Sequence, residues 1–276
     1  MLLTVDHVTR YHYDKPVRGV VQSHRLIPSV FDGQQVHSWS VTLSEGKPGG
    51  TFRDGAGDCI RAWSVAGPVS EIVVRVTGTV LTTDLAGVLR GHRETAPPEC
   101  YLRDTMPTRV DAALADLATS VAGSDGPLAV THRLCDAIAD AIAYTPGSTS
   151  AQTTAAEALA LGTGVCQDHA HALIGCARWL DMPARYVSGY LFSDSDGAAH
   201  EAAHAWAEVH VPGLGWVGFD PANRCCPDDR YIRLGSGFDA QDAAPIRGTA
   251  RSPGTERLAV TLAVSEQPVA AGQEQQ

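Results

Sequence analysis

The sequence predicts an α+β protein: an antiparallel β-sandwich over residues 1–94, then helices, then a return to strands. Three observations lead there. Residues 1–94 carry short alternating or β-branched runs broken by Gly-, Pro- and Asp-rich turns. At Ala96, Pro97 and Pro98 the texture changes, and apolar residues then recur at helical spacing. From Pro183 onward the two-residue alternation returns.

Within the first segment the strand-like runs are Leu3–Val5, Val20–Ser23, His37–Leu43, Cys59–Val65 and Ile72–Val80, a spacing that suits a sandwich. No ionisable cluster there looks chemical. Arg109–Val121 places Val110, Ala113, Leu114, Leu117 and Val121 on one helical face, and Leu128–Ala143 does the same with Leu134, Ile138 and Ile142. Thr154 with Glu157 reads as a capping box opening a short helix that Gly162 closes. A further helix runs from Cys166 to Asp181, with Ala170, Leu173, Ile174, Ala177 and Leu180 as its stripe. Pro183–Phe192 reads as a strand. His204–Val211 and Trp216–Asp220 flank Pro212–Gly215, a hairpin signal. One more strand, Leu258–Val264, precedes a polar tail expected to be disordered. The resulting division is 1–94, 95–250 and a C-terminal strand and tail over 251–276.

Composition narrows the function. Of 276 residues, 44% are apolar and 19% charged, which suits a packed core and not a disordered chain. A formal net charge of −10 repels nucleic acid and anionic membranes, so neither is expected as a partner. The opening residues lack the basic, apolar and small-residue sections of a signal peptide, and no apolar run reaches the roughly 20 residues that span a bilayer. A cytoplasmic location is the expectation. Seven cysteines do not describe a disulfide framework. Cys225 and Cys226 lack a C-x-x-C or a spaced histidine pair, and His169 and His171 point to different helix faces. No EF-hand loop occurs. No metal and no cofactor are expected.

The stretch that carries chemistry begins at Gly162–Cys166. Glycines at 162 and 164 permit a sharp approach to a helix whose first residue is Cys166. Unpaired N–H groups and the positive end of the helix dipole both favour thiolate there. A lone cysteine opening a buried helix is more often structural. The hairpin raises its standing, because it brings His204 close to Asp220 or Ala222, on a shared face if the connection holds three or five residues or a bulge intervenes. A carboxylate beside an imidazole fixes its tautomer and orientation. With Cys166 on the other ring nitrogen, the set is nucleophile, base and orienter. Taken singly, His204 reads as a satisfied strand histidine and Asp220 as a turn former before Pro221. Asp168 suits a first helical turn whatever its function. Trp206 shares the His204 face and either walls the imidazole from water or packs in the core.

Three segments resemble the bacterial transglutaminase-like family: Gly164–His171 (GVCQDHAH), Pro183–Leu191 (PARYVSGYL) and His204–Asn223 (HAWAEVHVPGLGWVGFDPAN). The resemblance extends back through Tyr144 and forward to Gly248. Residues 1–94, including the Asp54–Asp58 turn, look like the family's β-rich N-terminal region. It implies a papain-like or transglutaminase-like catalytic core with Cys166, His204 and Asp220 as its triad. It also implies acyl transfer through a thioester, with a peptide or protein substrate and an amine or water as acceptor. The Cys166 N–H is the implied oxyanion donor. The tryptophan that animal transglutaminases keep upstream is absent, which leaves Tyr144 as a substitute, or else as a structural aromatic at a helix end. Departures from the family's pattern are His169 where an aromatic is usual, Ala203 for Ser and Ala222 for Thr. They touch the pocket and not the triad. Three functions follow: a transferase, a thiol peptidase or amidase, and an inactive binding protein on the same fold. The intact triad weighs against the last.

Overall fold

The computed structural model describes residues 1–193, 203–251 and 255–267. Its N-terminal part is one six-stranded antiparallel sheet. Strand β1 (Leu2–His24) runs beside β4 (Cys59–Thr82), from Leu2 opposite Leu81 to His24 opposite Arg61. β2 (Gln34–Leu43) and β3 (Lys47–Arg53) pair with β4, while β11 (Ile246–Ala250) and β12 (Glu256–Glu266) pair with β1. The expected strand Leu258–Val264 is β12. The polar tail lies outside the described residues.

Four of the five expected N-terminal strands are thus the ends of two long ones. Asp14, Lys15 and Pro16 do not form a turn. They sit at a register shift between His12 and Val17, and a second shift follows between Val17 and Gly19. Before the shifts the odd residues Leu3, Val5, His7, Thr9, Tyr11 and Tyr13 are buried; beyond them it is Val20, Gln22 and His24. The irregularity changes parity and so keeps one face inward. That face does not pack on a second sheet formed within residues 1–94. Tyr190, Ile232 and Leu234, from the second half of the chain, join its core. The α+β class and the antiparallel N-terminal sheet are as expected, and the opposing layer comes from elsewhere.

A short 3₁₀ turn at Pro98–Leu102 leads to α1 (Ala112–Val121), α2 (Pro127–Ala141), β5 (Ala143–Tyr144), α3 (Ala155–Leu161) and β6 (Thr163–Gly164). Asp111 caps α1 by accepting the Leu114 N–H. The Thr154–Glu157 capping box opens α3, and Gly162 closes it at φ +67°. Helix α4 (Cys166–Trp179) follows, then β7 (Ala184–Leu191), β8 (Ala203–Val211), β9 (Gly215–Phe219) and β10 (Tyr231–Gly237). The last four form a sheet in the order β10-β7-β8-β9. Ala170, Leu173, Ile174 and Ala177 of α4 share a core with Ala205, Ala207 and Val209 of β8.

The other face of this sheet carries Arg185, Glu208 and Arg233, each almost fully buried. Glu208 accepts from Arg185 Nε at 2.7 Å and from Arg233 Nε at 2.8 Å. Arg233 also reaches Asp58 at 2.8 Å and Ser29 Oγ at 2.6 Å, and Arg185 pairs with Glu94. Burial alone would raise the Glu208 carboxyl, but the two guanidinium groups hold it down at about 2. The Asp54–Asp58 turn is therefore bound into the sheet that bears His204.

Candidate active site

Helix α4 starts where a side chain holds the chain from behind. Asp168 Oδ2 accepts the Val165 N–H at 2.8 Å and the Thr149 hydroxyl at 2.6 Å. Gly164 makes room for this, since a Cβ there would stand 2.8 Å from that of Asp168. β5 and β6 form a parallel bridge that sets Tyr144 opposite Gly164, two residues before the cysteine. His169 ties the same region down, with one ring nitrogen 2.9 Å from the Val165 carbonyl and the other 2.8 Å from that of Ile142. Cys166, half-buried, is left at the mouth of the helix. The first-turn N–H groups of Cys166 and Gln167 have no acceptor within α4, so an oxyanion placed there meets donors and the positive dipole end.

His204 stands near the start of β8, opposite Gly189 of β7. Asp220 follows β9, and its backbone pairs in both directions with Cys225, closing a tight turn in which Arg224 takes φ +53°. This turn brings the Asp220 carboxylate to the imidazole: Oδ2 accepts from His204 Nε2 at 2.6 Å. Two further donors reach the same oxygen, Asn223 Nδ2 at 2.7 Å and the Tyr231 hydroxyl at 2.8 Å. Burial works to raise the Asp220 carboxyl, and the donated hydrogen bonds outweigh it and hold it below the usual range. For His204, burial works to lower the imidazole. The hydrogen bonds to Asp220 and Cys166, with the charges of both, raise it to about 10. With Nε2 committed to Asp220, Nδ1 is the nitrogen left for the Cys166 sulfur. The three residues singled out in the sequence are thus brought into one connected set.

The other candidates fall around it. Trp206 is buried, its ring 6.4 Å from that of His204 at 24° and 5.5 Å from that of Tyr231. Gly189 admits it, because a Cβ there would lie 2.6 Å from the indole. Trp206 therefore backs the imidazole and packs in the core at once. Tyr144 is 42% exposed beside Gly164, with its ring 6.3 Å from that of His169. Burial pushes the other enclosed thiols up, Cys176 to about 12 and Cys226 to about 11. Sequence reasoning missed Asn223 and Tyr231. Asn223 sits inside the recognisable segment that ends the hairpin and was open to notice, three residues after Asp220. Tyr231 opens a strand the sequence did not suggest.

Residues 115–221, which hold Cys166, His204 and Asp220, match the Transglutaminase-like superfamily. Residues 3–81 match the Bacterial transglutaminase-like N-terminal region. The chain belongs to the bacterial transglutaminase-like family. An uncharacterised protein of Mycobacterium leprae is 26% identical over 281 residues, spanning 95% of this chain and 98% of its own. One from Mycobacterium tuberculosis is 30% identical over 269 residues, spanning 88% and 86%. The crystal structure of a Cytophaga hutchinsonii protein, proposed to be a cysteine protease, superposes with a TM-score of 0.74. It is 20% identical and covers 98% of this chain and 92% of that one, a likeness of fold.

Proposed function

We propose that the protein is a thiol-dependent acyl-transfer enzyme acting on an amide, either a glutamine side chain or a peptide bond. The observation that carries this reading is the position of His204, whose Nε2 is hydrogen-bonded to Asp220 and whose imidazole is raised by Asp220 and Cys166 together. An imidazole raised to about 10 is protonated at neutral pH and suits a thiolate partner.

The Cys166 thiolate attacks the amide carbon, and the carbonyl electrons move onto oxygen. The N–H groups opening α4 face that oxyanion. His204 gives its proton to the leaving nitrogen as the C–N bond breaks, which leaves a thioester and free ammonia or amine. The neutral imidazole then takes a proton from the acceptor as it attacks, and the thiolate returns. Water as acceptor gives hydrolysis; a primary amine gives transfer. Asp220 keeps the imidazole oriented and offsets its charge throughout.

The test is mass spectrometry of glutamine peptides incubated with the protein, with and without a primary amine. A gain of the amine's mass means transfer, and conversion of glutamine to glutamate or cleavage of the peptide means hydrolysis. No change across a broad peptide mixture would favour a binding protein on this fold.

A further inference from the structure

Asp220 is fixed by more than the imidazole it serves. Its carboxylate is fully buried, so no bulk water replaces a donor that is lost. The torsion that sets the plane of an Asp carboxylate is broad and roughly two-fold. Something must choose the plane. Asn223 does so by touching both oxygens: its side-chain Nδ2 donates to Oδ2 at 2.7 Å and its backbone N–H to Oδ1 at 3.3 Å. Tyr231 adds its hydroxyl to Oδ2 at 2.8 Å. An ionised carboxylate only accepts, so the phenol spends its one proton on Asp220 and accepts in turn from the Cys225 thiol, 3.4 Å away.

We propose that Asn223 and Tyr231 are positioning residues for the reaction, a two-donor clamp that holds Asp220 Oδ2 against His204 Nε2. This rests on the acyl-transfer reading above. The two donors come from different elements, Asn223 from the turn after β9 and Tyr231 from the first residue of β10. They meet on one oxygen with His204 Nε2, at 2.6, 2.7 and 2.8 Å. Asn223 Nδ2 also stands 3.3 Å from His204 Nε2. Both atoms donate to Asp220, so neither accepts from the other, and the amide acts on the imidazole only through the carboxylate.

The experiment combines kinetics on a turned-over peptide with thermal melts for Asn223→Ala, Asn223→Asp and Tyr231→Phe, each alone and in an Asp220→Ala background, and for Asp220→Ala itself. Asn223→Ala and Tyr231→Phe should each lower kcat about 10-fold with KM little changed. In the Asp220→Ala background both should be silent, because their target is gone. Asn223→Asp separates the clamp from a turn role: aspartate serves a turn as well as asparagine does, but here it sets a second carboxylate against Asp220. It should lose more than Asn223→Ala. Full activity of the singles, or losses that persist undiminished without Asp220, would overturn the clamp. A second readout stands apart from turnover. By NMR the His204 imidazole should titrate lower in Asn223→Ala/Tyr231→Phe than in wild type, moving toward Asp220→Ala. An unmoved or raised midpoint counts against the clamp even where no substrate is processed. A lowered one beside an inert Cys166 would sink the acyl-transfer reading and leave the clamp standing.

Discussion

At the scale of single residues, His204 is where opposing influences meet. Burial favours the neutral ring, and Asp220 with Cys166 favours the cation and prevails. The alkaline limb of kcat/KM should therefore lie near pH 10 in the wild type and at lower pH in Asp220→Asn. That substitution should also cost about 10–1000-fold in kcat/KM. It is less than the roughly 10⁴-fold of a serine triad, because a thiol is intrinsically more nucleophilic than a serine hydroxyl and leans less on the third member. A folded Asp220→Asn variant within twofold of wild type, with its limb unmoved, would reduce the set to Cys166 and His204. Thiol labelling gives a second test. Cys100 is exposed and will take up iodoacetamide wherever the chemistry lies. In a Cys100→Ser background, Cys166 should be the first thiol carboxamidomethylated at pH 7, with activity lost in step. Cys225 or Cys226 reacting first would contradict Cys166 as the nucleophile, since burial pushes both of those upward.

At the scale of elements, much of the site was legible because its signals are local. The α4 stripe repeats every three to four residues, the α3 box lies within four, and the β8–β9 hairpin announces itself through Pro212–Gly215. What escaped depends on partners far away in the chain. β10 reads Tyr-Ile-Arg-Leu-Gly-Ser-Gly, with a charge at its third position and glycines where a strand wants side chains. It is a buried strand because Arg233 finds Glu208, 25 residues away, and Asp58, 175 residues away. No local pattern carries that information. The same holds for β1 and β4, where a proline-bearing shift in register looks like a turn until the partner strand is seen. Close packing across β7 supplies a prediction here. Gly189→Ala drives a methyl into the Ile232 backbone carbonyl of β10 and into Trp206, which backs His204. It should cost about 1–3 kcal/mol of stability, read by denaturant unfolding, and lower kcat by displacing the indole. A variant of unchanged stability and activity would show that the β10 backbone at Ile232 and Trp206 both have room to move.

At the scale of the whole molecule, the N-terminal sheet and the second sheet share a core and a chain of buried charges. Glu208 stands at the centre of that chain, between Arg185 and Arg233. Glu208→Gln leaves two buried guanidinium groups short of a counter-charge, and should cost about 3–5 kcal/mol in chemical unfolding. A loss under about 1 kcal/mol would mean that Asp58 and Glu94 suffice. The sign of the pH dependence follows from the two shifts. Glu208, held down from 4.5 to about 2, contributes stability that is present above pH 4.5 and lost as pH falls toward 2. His204, raised from 6.5 to about 10, contributes stability that is present below pH 6.5 and lost as pH rises through 10. Melting temperature should thus decline on both sides of a plateau. Glu208→Gln should flatten the acid side and His204→Gln the alkaline side.

Covalent chemistry at Cys166 is tested most directly by catching the acyl group there. Wild-type protein is mixed with a reactive acyl donor such as a glutamine-analogue ester, quenched in acid within one turnover, and digested for peptide mass mapping. The acyl mass is expected on the peptide bearing Cys166, discharged by added amine or by water. No adduct and no turnover are expected in Cys166→Ala. Turnover that survives Cys166→Ala, or an acyl group that maps to another residue, would contradict covalent chemistry at Cys166.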